Sequence, residues 1–318
     1  MLNGIKILSG TAGAKLADQI CTYLSIKRTR ATVGRFNDGE VKVQILEDVR
    51  DADVFVINPT NPPAENFLEM AFLAKAAHGS SAGRVTLVPS YLGYNRQDRK
   101  DRPRVPISAL FMIKMLVGSA ADRAILLDLH NESTAGYFEP MVVDHLFASA
   151  MSVPYLKELL KHPFVVASPD RGGGPRASAY VSRLDQSDFV MFSKIRSKDG
   201  AVDKDSIKII GDVRGKNVLL VDDMVDSGGT LIADAKAAKN AGAKNVYAFA
   251  THAIFSKDAV ARLDASCIKE LIVTDTIYHP QNKLKTKRLK LMVLSVAPLL
   301  AEAIRRTHDG ESLSALIL

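Results

Sequence analysis

The stretch VLLVDDMVDSGGTL at 218–231 carries the residues best suited to chemistry. Its four opening apolar residues, bounded by turn formers, read as a buried strand. Asp222 and Asp223 sit at the carboxyl end of that strand. Asp226, Ser227, Gly228, Gly229 and Thr230 follow, and a helical pattern starts at Leu231. A glycine pair lets the backbone fold tightly and turn its N–H groups toward one point. The helix behind it adds the positive end of its dipole. Such a turn cradles a phosphate. Carboxylates repel a phosphate but accept hydrogen bonds from hydroxyl groups. A phosphate cradle beside hydroxyl acceptors describes the two ends of ribose 5-phosphate.

Further clusters lie near strand ends. FNDGE at 36–40, taken alone, reads as a hairpin turn. The stretch 91–108 holds Arg96, Arg99, Lys100, Arg102 and Arg104, with Asp98 and Asp101 between them. Such runs are usually solvated loops. This one leaves the end of a strand, where open α/β sheets bind ligands, and arginine forks suit phosphate oxygens and stack on adenine. Pro103 and Pro106 mark it as loop. Asp128-Leu129-His130 ends another strand; a lone histidine there is more often structural. Asp170, before three glycines, could hold Mg²⁺ through water or cap a helix. Lys194 and Arg196 alternate at the start of a polar segment, 197–205, and by themselves read as surface charge.

The elements that must position these residues alternate strand and helix. Strands are expected at 5–8, 33–36, 41–45, 53–58, 84–89 and 123–127, then at 164–167, 189–192, 207–210, 217–221, 246–251 and 270–274. The 207–210 and 217–221 strands read as a hairpin-like pair. Helices are expected at 14–24, 64–77, 153–161 and 298–306. This rhythm argues for mainly parallel sheets flanked by helices. The two halves share a plan, which divides the chain into α/β domains at 1–147 and 148–318, with a helix at about 298–308 placed to pack back on the first. The net charge of +7 favours anionic partners. Nucleic acid is not expected among them, because no aromatic residues interleave with a basic run. Cys21 and Cys267 suggest no disulfide framework and fit a reducing cytoplasm. The opening residues lack a secretory pattern, and the apolar stretch 291–304 is too short and interrupted to span a membrane.

In this order the motifs resemble one family over essentially the whole chain, the ribose-phosphate diphosphokinases, also called phosphoribosyl diphosphate synthetases. The resemblance rests on FNDGE at 36–40, GYNRQDRK at 93–100, PIS at 106–108, DLH at 128–130, SPD at 168–170, GDV at 211–213 and the 222–230 loop. ATH at 251–253, TDTI at 274–277 and LLAEAIRR at 299–306 extend it. It implies two similar type I phosphoribosyltransferase-like domains. It implies transfer of the β,γ-diphosphoryl group of MgATP to the C1 hydroxyl of ribose 5-phosphate, with AMP as the other product. Mg²⁺ is the implied cofactor.

The resemblance also implies roles. Phe36 would stack on adenine, Asp38 and Glu40 would contact that end of ATP, and Arg96, Gln97 and Arg99 would close over the nucleotide. The family uses the 36–40 segment across a subunit interface, which implies a dimer-based homo-oligomer, with a hexamer as the larger form. His130 and Asp170 would position Mg²⁺, directly or through water. Lys194 and Arg196 would stabilise charge on the transferring group. Asp222, with Asp223, would hold the ribose hydroxyls, and residues 226–230 the 5-phosphate.

The chain departs from the family pattern after His130, where a Gln-rich segment is usual, and after Arg196, where Ser197 replaces a base. At the family's anion-binding regulatory site, Arg50, Ser312 and Ser314 match. Asp48 stands for a serine, Ala135 for a glutamine and His145 for an asparagine. The expectation is activity without inorganic phosphate and resistance to allosteric ADP. A phosphoribosyltransferase consuming the diphosphate, or a non-catalytic regulatory homologue, are the alternative readings.

Overall fold

The structure, a computed structural model, describes residues 4–160, 163–186, 189–196 and 202–317. The chain forms two compact units. The first comprises residues 1–150, 276–278 and 295–318; the second comprises 151–275 and 279–294.

In the first unit, β1 (Ile5–Ser9) leads through α1 (Ala14–Leu24) to a hairpin of β2 (Ala31–Arg35) and β3 (Val41–Ile45). Then follow β4 (Asp53–Ile57), α2 (Glu65–Gly79), β5 (Arg84–Val88), α3 (Ser108–Val117), β6 (Arg123–Leu127), a 3₁₀ turn at Glu132–Phe138 and β7 (Val142–Leu146). The five-stranded sheet runs β1-β4-β5-β6-β7, all parallel. Parallel strands are covered on both faces, so their sequences are apolar runs rather than alternations. Val54, Phe55, Val56 and Ile57 are accordingly fully buried. The β2–β3 hairpin stands outside this sheet. It rests on α2 through Val33, Val43 and Ile45, while the residues between them face solvent or lie half-buried.

The second unit holds α4 (Ser149–Leu159), β8 (Phe164–Ser168), α5 (Gly174–Arg183), β9 (Phe189–Arg196), β10 (Val202–Ile210) and β11 (Asn217–Val225). It continues with α6 (Gly229–Asn240), β12 (Asn245–Ala253), α7 (Ala259–Asp264), β13 (Ile268–Thr274) and β14 (Lys290–Leu294). Its seven strands run β10-β9-β8-β11-β12-β13-β14. Only β10 is antiparallel to its neighbour among the described pairings. The expected pairing of 207–210 with 217–221 does not form. Ile207 pairs with Lys194 and Ile210 with Met191, so β10 folds back on β9. The reason is burial. β11 is buried from Asn217 to Val221 and needs the sheet centre, whereas Ile207 and Ile209 alternate with exposed Lys208 and Ile210, as an edge strand does.

The chain returns to the first unit as α8 (Ala297–Asp309), followed by the short α9 (Ser314–Ile317). Pro298 in its first turn and Gly310 at φ 72° bound α8. Leu299, Leu300, Ala303, Ile304 and Thr307 form its buried face, and it packs on α1. Arg84 donates to the Thr307 carbonyl at 2.8 Å, and His308 Nδ1 lies 3.0 Å from Asp53. Arg305 holds the Glu302 carboxyl down at about 2 from the solvent side.

Candidate functional site

The second sheet reverses its winding between β8 and β11. From β8 the chain goes to β9 on one side, and from β11 to β12 on the other. The crevice beyond the carboxyl ends of two such strands is where open α/β sheets bind ligands. Asp170 follows β8, and the 222–230 loop belongs to β11. Pairing with β8 stops at Leu220–Ala167, while β11 runs on beside β12 to Val225–Ala253. Asp222 and Asp223 therefore lie within β11 rather than at its carboxyl end as the sequence suggests, in the part of the strand that no longer pairs with β8.

Successive strand residues point to opposite faces. Asp223 is 3% exposed and lies 3.6 Å from the Arg176 guanidinium on α5. Asp222 is half-buried and accepts from the Asp223 N–H at 2.9 Å. Burial, and then the neighbouring Asp223 charge, push the Asp222 carboxyl well above the usual carboxylate range. Asp170 is exposed, and its Oδ1 accepts from Gly173 N at 2.9 Å, bracing the turn into α5.

Gly228 sits at φ 72° as the cap of α6, and no side chain caps that helix. The first-turn N–H groups of a helix have no partner within it, so those of α6 are left to meet an anion. Arg262 on α7 donates to the Ser227 carbonyl at 3.0 Å. Its Nη2 lies 3.6 Å from where a Cβ on Gly229 would stand. A cation thus borders the turn. Lys194 and Arg196 lie on β9, whose pairing with β10 brings Lys194 opposite Ile207 and Arg196 opposite Val202. Their side chains, and Ser197 after them, lie outside the described residues.

In the first unit, neighbouring β5 and β6 deliver the charged loop and the Asp128–His130 turn. Arg96 and Arg99 are exposed. Gln97 braces the loop: its side chain accepts from the Ser108 hydroxyl and its carbonyl from Ala109 N. Asp98 accepts from the Asn131 amide, and its carbonyl accepts from the Tyr137 hydroxyl at 2.9 Å. The loop is therefore tied to the segment after His130. Asp128, at φ 40°, holds Ala148 N with its carboxylate at 2.9 Å, and exposed His130 follows. Residues 36–40 form the tip of the β2–β3 hairpin. Gly39 N bonds the Phe36 carbonyl at 3.0 Å, and Asp38 accepts from Glu40 N at 3.1 Å. Phe36 is half exposed, with Lys42 over its ring at 5.2 Å.

The residues read as regulatory fall into two groups. Asp48 and Arg50 are exposed just before the amino end of β4, and Asp48 accepts from Arg50 N at 3.0 Å. His145 lies at the opposite, carboxyl end of the same sheet, on β7, beside which α9 packs. Its Nε2 accepts from Leu129 N at 3.0 Å, which makes it a brace for the turn carrying His130. Ala135 packs half-buried against the first core. Exposed Ser312 and Ser314 bond each other at 3.1 Å.

Two family descriptions match these segments. The N-terminal domain of ribose phosphate pyrophosphokinase matches residues 5–119, and the phosphoribosyl synthetase-associated domain matches 165–318. The ribose-phosphate pyrophosphokinase of Chlorobaculum tepidum is 41% identical over 98% of this chain and 94% of its own. The chain belongs to the ribose-phosphate pyrophosphokinase family. Ribose-phosphate pyrophosphokinase A of Dictyostelium discoideum is 39% identical over 98% of this chain and 97% of its own. The crystal structure of phosphoribosylpyrophosphate synthetase from Mycobacterium smegmatis superposes with a TM-score of 0.89 at 34% identity, covering 97% of this chain and all of that one. The family's α/β architecture of two mainly parallel sheets is therefore the fold found here. Sequence reasoning missed Arg176, Arg262 and Glu69. The two arginines sit on helices whose charge pattern looks like ordinary surface, and Glu69 reads as one more polar residue of α2.

Proposed function

We infer that this chain transfers the β,γ-diphosphoryl group of MgATP to the C1 hydroxyl of ribose 5-phosphate. The observation that carries the reading is the convergence of Asp170 and the 222–230 loop at the point where the second sheet reverses. The C1 oxygen bonds to the β-phosphorus while the bond from that phosphorus to the α,β-bridging oxygen breaks. AMP leaves, and the hydroxyl proton is released. We assign the 5-phosphate to the N–H groups of 226–230 with Arg262 beside them, and the ribose hydroxyls to Asp222, backed by Asp223. Phe36, Asp38 and Glu40 take the adenine end of ATP; Arg96, Gln97 and Arg99 close over the nucleotide. Lys194 and Arg196 meet charge that develops on the transferring group. The 36–40 tip serves a neighbouring copy in a homo-oligomer, a reading supported by its exposure. Purified protein with ribose 5-phosphate and MgATP should release AMP; no AMP at any phosphate or magnesium concentration defeats the reading.

The donor set suits Mg²⁺ in one manner. Among the described residues no group of three or more His, Cys, Asp or Glu gathers to hold a metal. Mg²⁺ is commonly held by one or two carboxylates, water and substrate phosphates, and imidazole is a poor ligand for it. Exposed Asp170 fits direct contact, and His130 fits contact through water. An ion so held would supply positive charge to neutralise the substrate phosphates.

Asp222→Asn provides a sharp test. A carboxyl whose folded pKa is raised contributes stability that is full below its unfolded pKa, about 3.9, and lost as pH rises through the folded value. Near neutrality the carboxyl of Asp222 therefore costs stability, whether it carries its charge or takes up a proton. The variant should melt higher than the parent at pH 7 without ligand, yet require more ribose 5-phosphate with little change for ATP. Differential scanning calorimetry and substrate titrations read both. Equal loss for the two substrates would move Asp222 to the metal.

We also propose activity without inorganic phosphate. Asp48 and His145 lie at opposite ends of one sheet, so an anion touching both sets must draw on two copies of the chain. A carboxylate at about 4 Å from such an anion repels it by about 4 kcal/mol at an effective dielectric near 20, before screening. A tenfold loss of affinity needs only about 1.4 kcal/mol. Initial rates should be flat across a phosphate titration, and saturating ATP should relieve ADP inhibition. Strong phosphate dependence, with ADP inhibition that ATP cannot relieve, contradicts this. We read the compartment as cytoplasmic. Both cysteines are free, and burial pushes the Cys21 thiol up to about 11. Among the described residues no helix is long and apolar enough to cross a membrane.

A further inference from the structure

We propose that Glu69 is a positioning residue for the hairpin tip at 36–40, fixing its orientation and with it the affinity for ATP. The proposal rests on the reading that this tip contacts ATP. Glu69 projects from α2 and is 0% exposed. Its Oε1 accepts from Arg35 Nη1 at 2.9 Å. Its Oε2 accepts from the Thr11 N–H at 2.7 Å and the Thr11 hydroxyl at 2.9 Å. Arg35 is the last residue of β2, directly before Phe36, and also donates to the Gly34 carbonyl at 3.0 Å.

A two-stranded hairpin outside any larger sheet is marginally stable by itself. Ladder hydrogen bonds to the five-stranded sheet do not set its direction. Apolar contacts to α2 hold its body, but they are non-directional and tolerate rocking. At its base, Glu47 accepts from Arg30 N at 2.8 Å and reaches Lys6 on β1 at 3.4 Å. Near its tip, the directional tie is Arg35 to Glu69. A charge-assisted bond to a fully buried carboxylate has a defined geometry, and Thr11 fixes that carboxylate from the other side. The turn after β1 thereby aims the hairpin.

The test uses the full chain and four variants: Arg35→Met, Glu69→Gln, both together, and Phe36→Ala. Half-exposed Arg35 can be replaced without opening the core, which keeps the test available if Glu69→Gln folds poorly. Arg35→Met should raise KM for ATP by about tenfold, leave kcat within about threefold, and leave KM for ribose 5-phosphate unchanged. Glu69→Gln should raise KM for ATP at least as far, because its amide NH₂ must also face either Arg35 or the Thr11 donors. Adding Arg35→Met to Glu69→Gln should raise it no further, because that link is already cut. Hydrogen exchange at 36–40 should quicken in Arg35→Met without a comparable change in the main sheet. If Phe36→Ala raises KM for ATP while Arg35→Met changes neither KM nor exchange, the positioning role is wrong. If Phe36→Ala leaves KM for ATP unchanged, the ATP reading fails instead, and the exchange result alone decides whether Glu69 fixes the tip.

Discussion

Lys194→Ala should lower turnover by about 10³-fold or more while leaving the KM for ribose 5-phosphate within about twofold. Phosphoryl transfer needs little covalent help from a protein. Its barrier falls chiefly through positioning and through positive charge placed where negative charge develops. Only an interaction that strengthens in the transition state raises kcat; one equally strong in the ground state changes KM instead. Lys194 lies near the outgoing end of β9, in the strand next to β8 and Asp170, with the edge strand β10 beyond it. Single-turnover rates and direct binding of ribose 5-phosphate separate the two quantities. Retained turnover with weakened binding would make Lys194 a ground-state ligand and defeat the assignment.

The second large effect is expected at Gly228. A side chain in the left-handed region costs about 1–2 kcal/mol. Here its Cβ would also stand 2.9 Å from Leu263 Cγ, in a helix that is itself packed in the core. Overpacking adds about 1–3 kcal/mol. Gly228→Val should therefore lower the melting temperature and distort the turn, raising KM for ribose 5-phosphate about thirtyfold, the equivalent of about 2 kcal/mol. Gly215→Val is the control. Gly215 has almost the same φ, 73°, in the same unit, but nothing lies within 4 Å of its Cβ position. It should lose stability without changing either KM. If both variants shift the KM for ribose 5-phosphate alike, the 226–230 backbone does not bind the phosphate.

The sequence showed most clearly those parts of the fold whose signals are local. The apolar runs of β4, β6 and β11 can satisfy their backbone only inside a covered parallel sheet, and they are buried there. The glycine turn before α6 announces its φ by composition. Pairing is not local, and there the reading failed: Ile207–Ile210 looked like the partner of the next strand but joined the previous one. β7 escaped notice because Asp144 and His145 interrupt its apolar run, and β14 because its apolar residues 291–294 merge with those of α8 into one stretch. The site divides in the same way. Asp222 and the phosphate turn were visible as a contiguous motif. Arg176, Arg262 and Glu69 act from distant positions, and nothing near them in sequence marks what they face.

The first unit is assembled from residues 1–150, 276–278 and 295–318, with the second unit's chain between its first and last segments. On a ribosome, residues 151–275 emerge as one uninterrupted piece and can form early every strand of their own sheet except the edge strand β14. The first unit must wait. Until α8 has been made, α1 lacks the helix that packs on it, and Asp53 and Arg84 lack their contacts to residues 307 and 308. For about 280 residues of elongation, from the end of α1 to the end of α8, at about 5–20 residues per second, the side of α1 that α8 covers stays open to water. The nascent chain thus has a window of about fifteen to sixty seconds in which a chaperone, or another nascent copy, can occupy the place α8 will take.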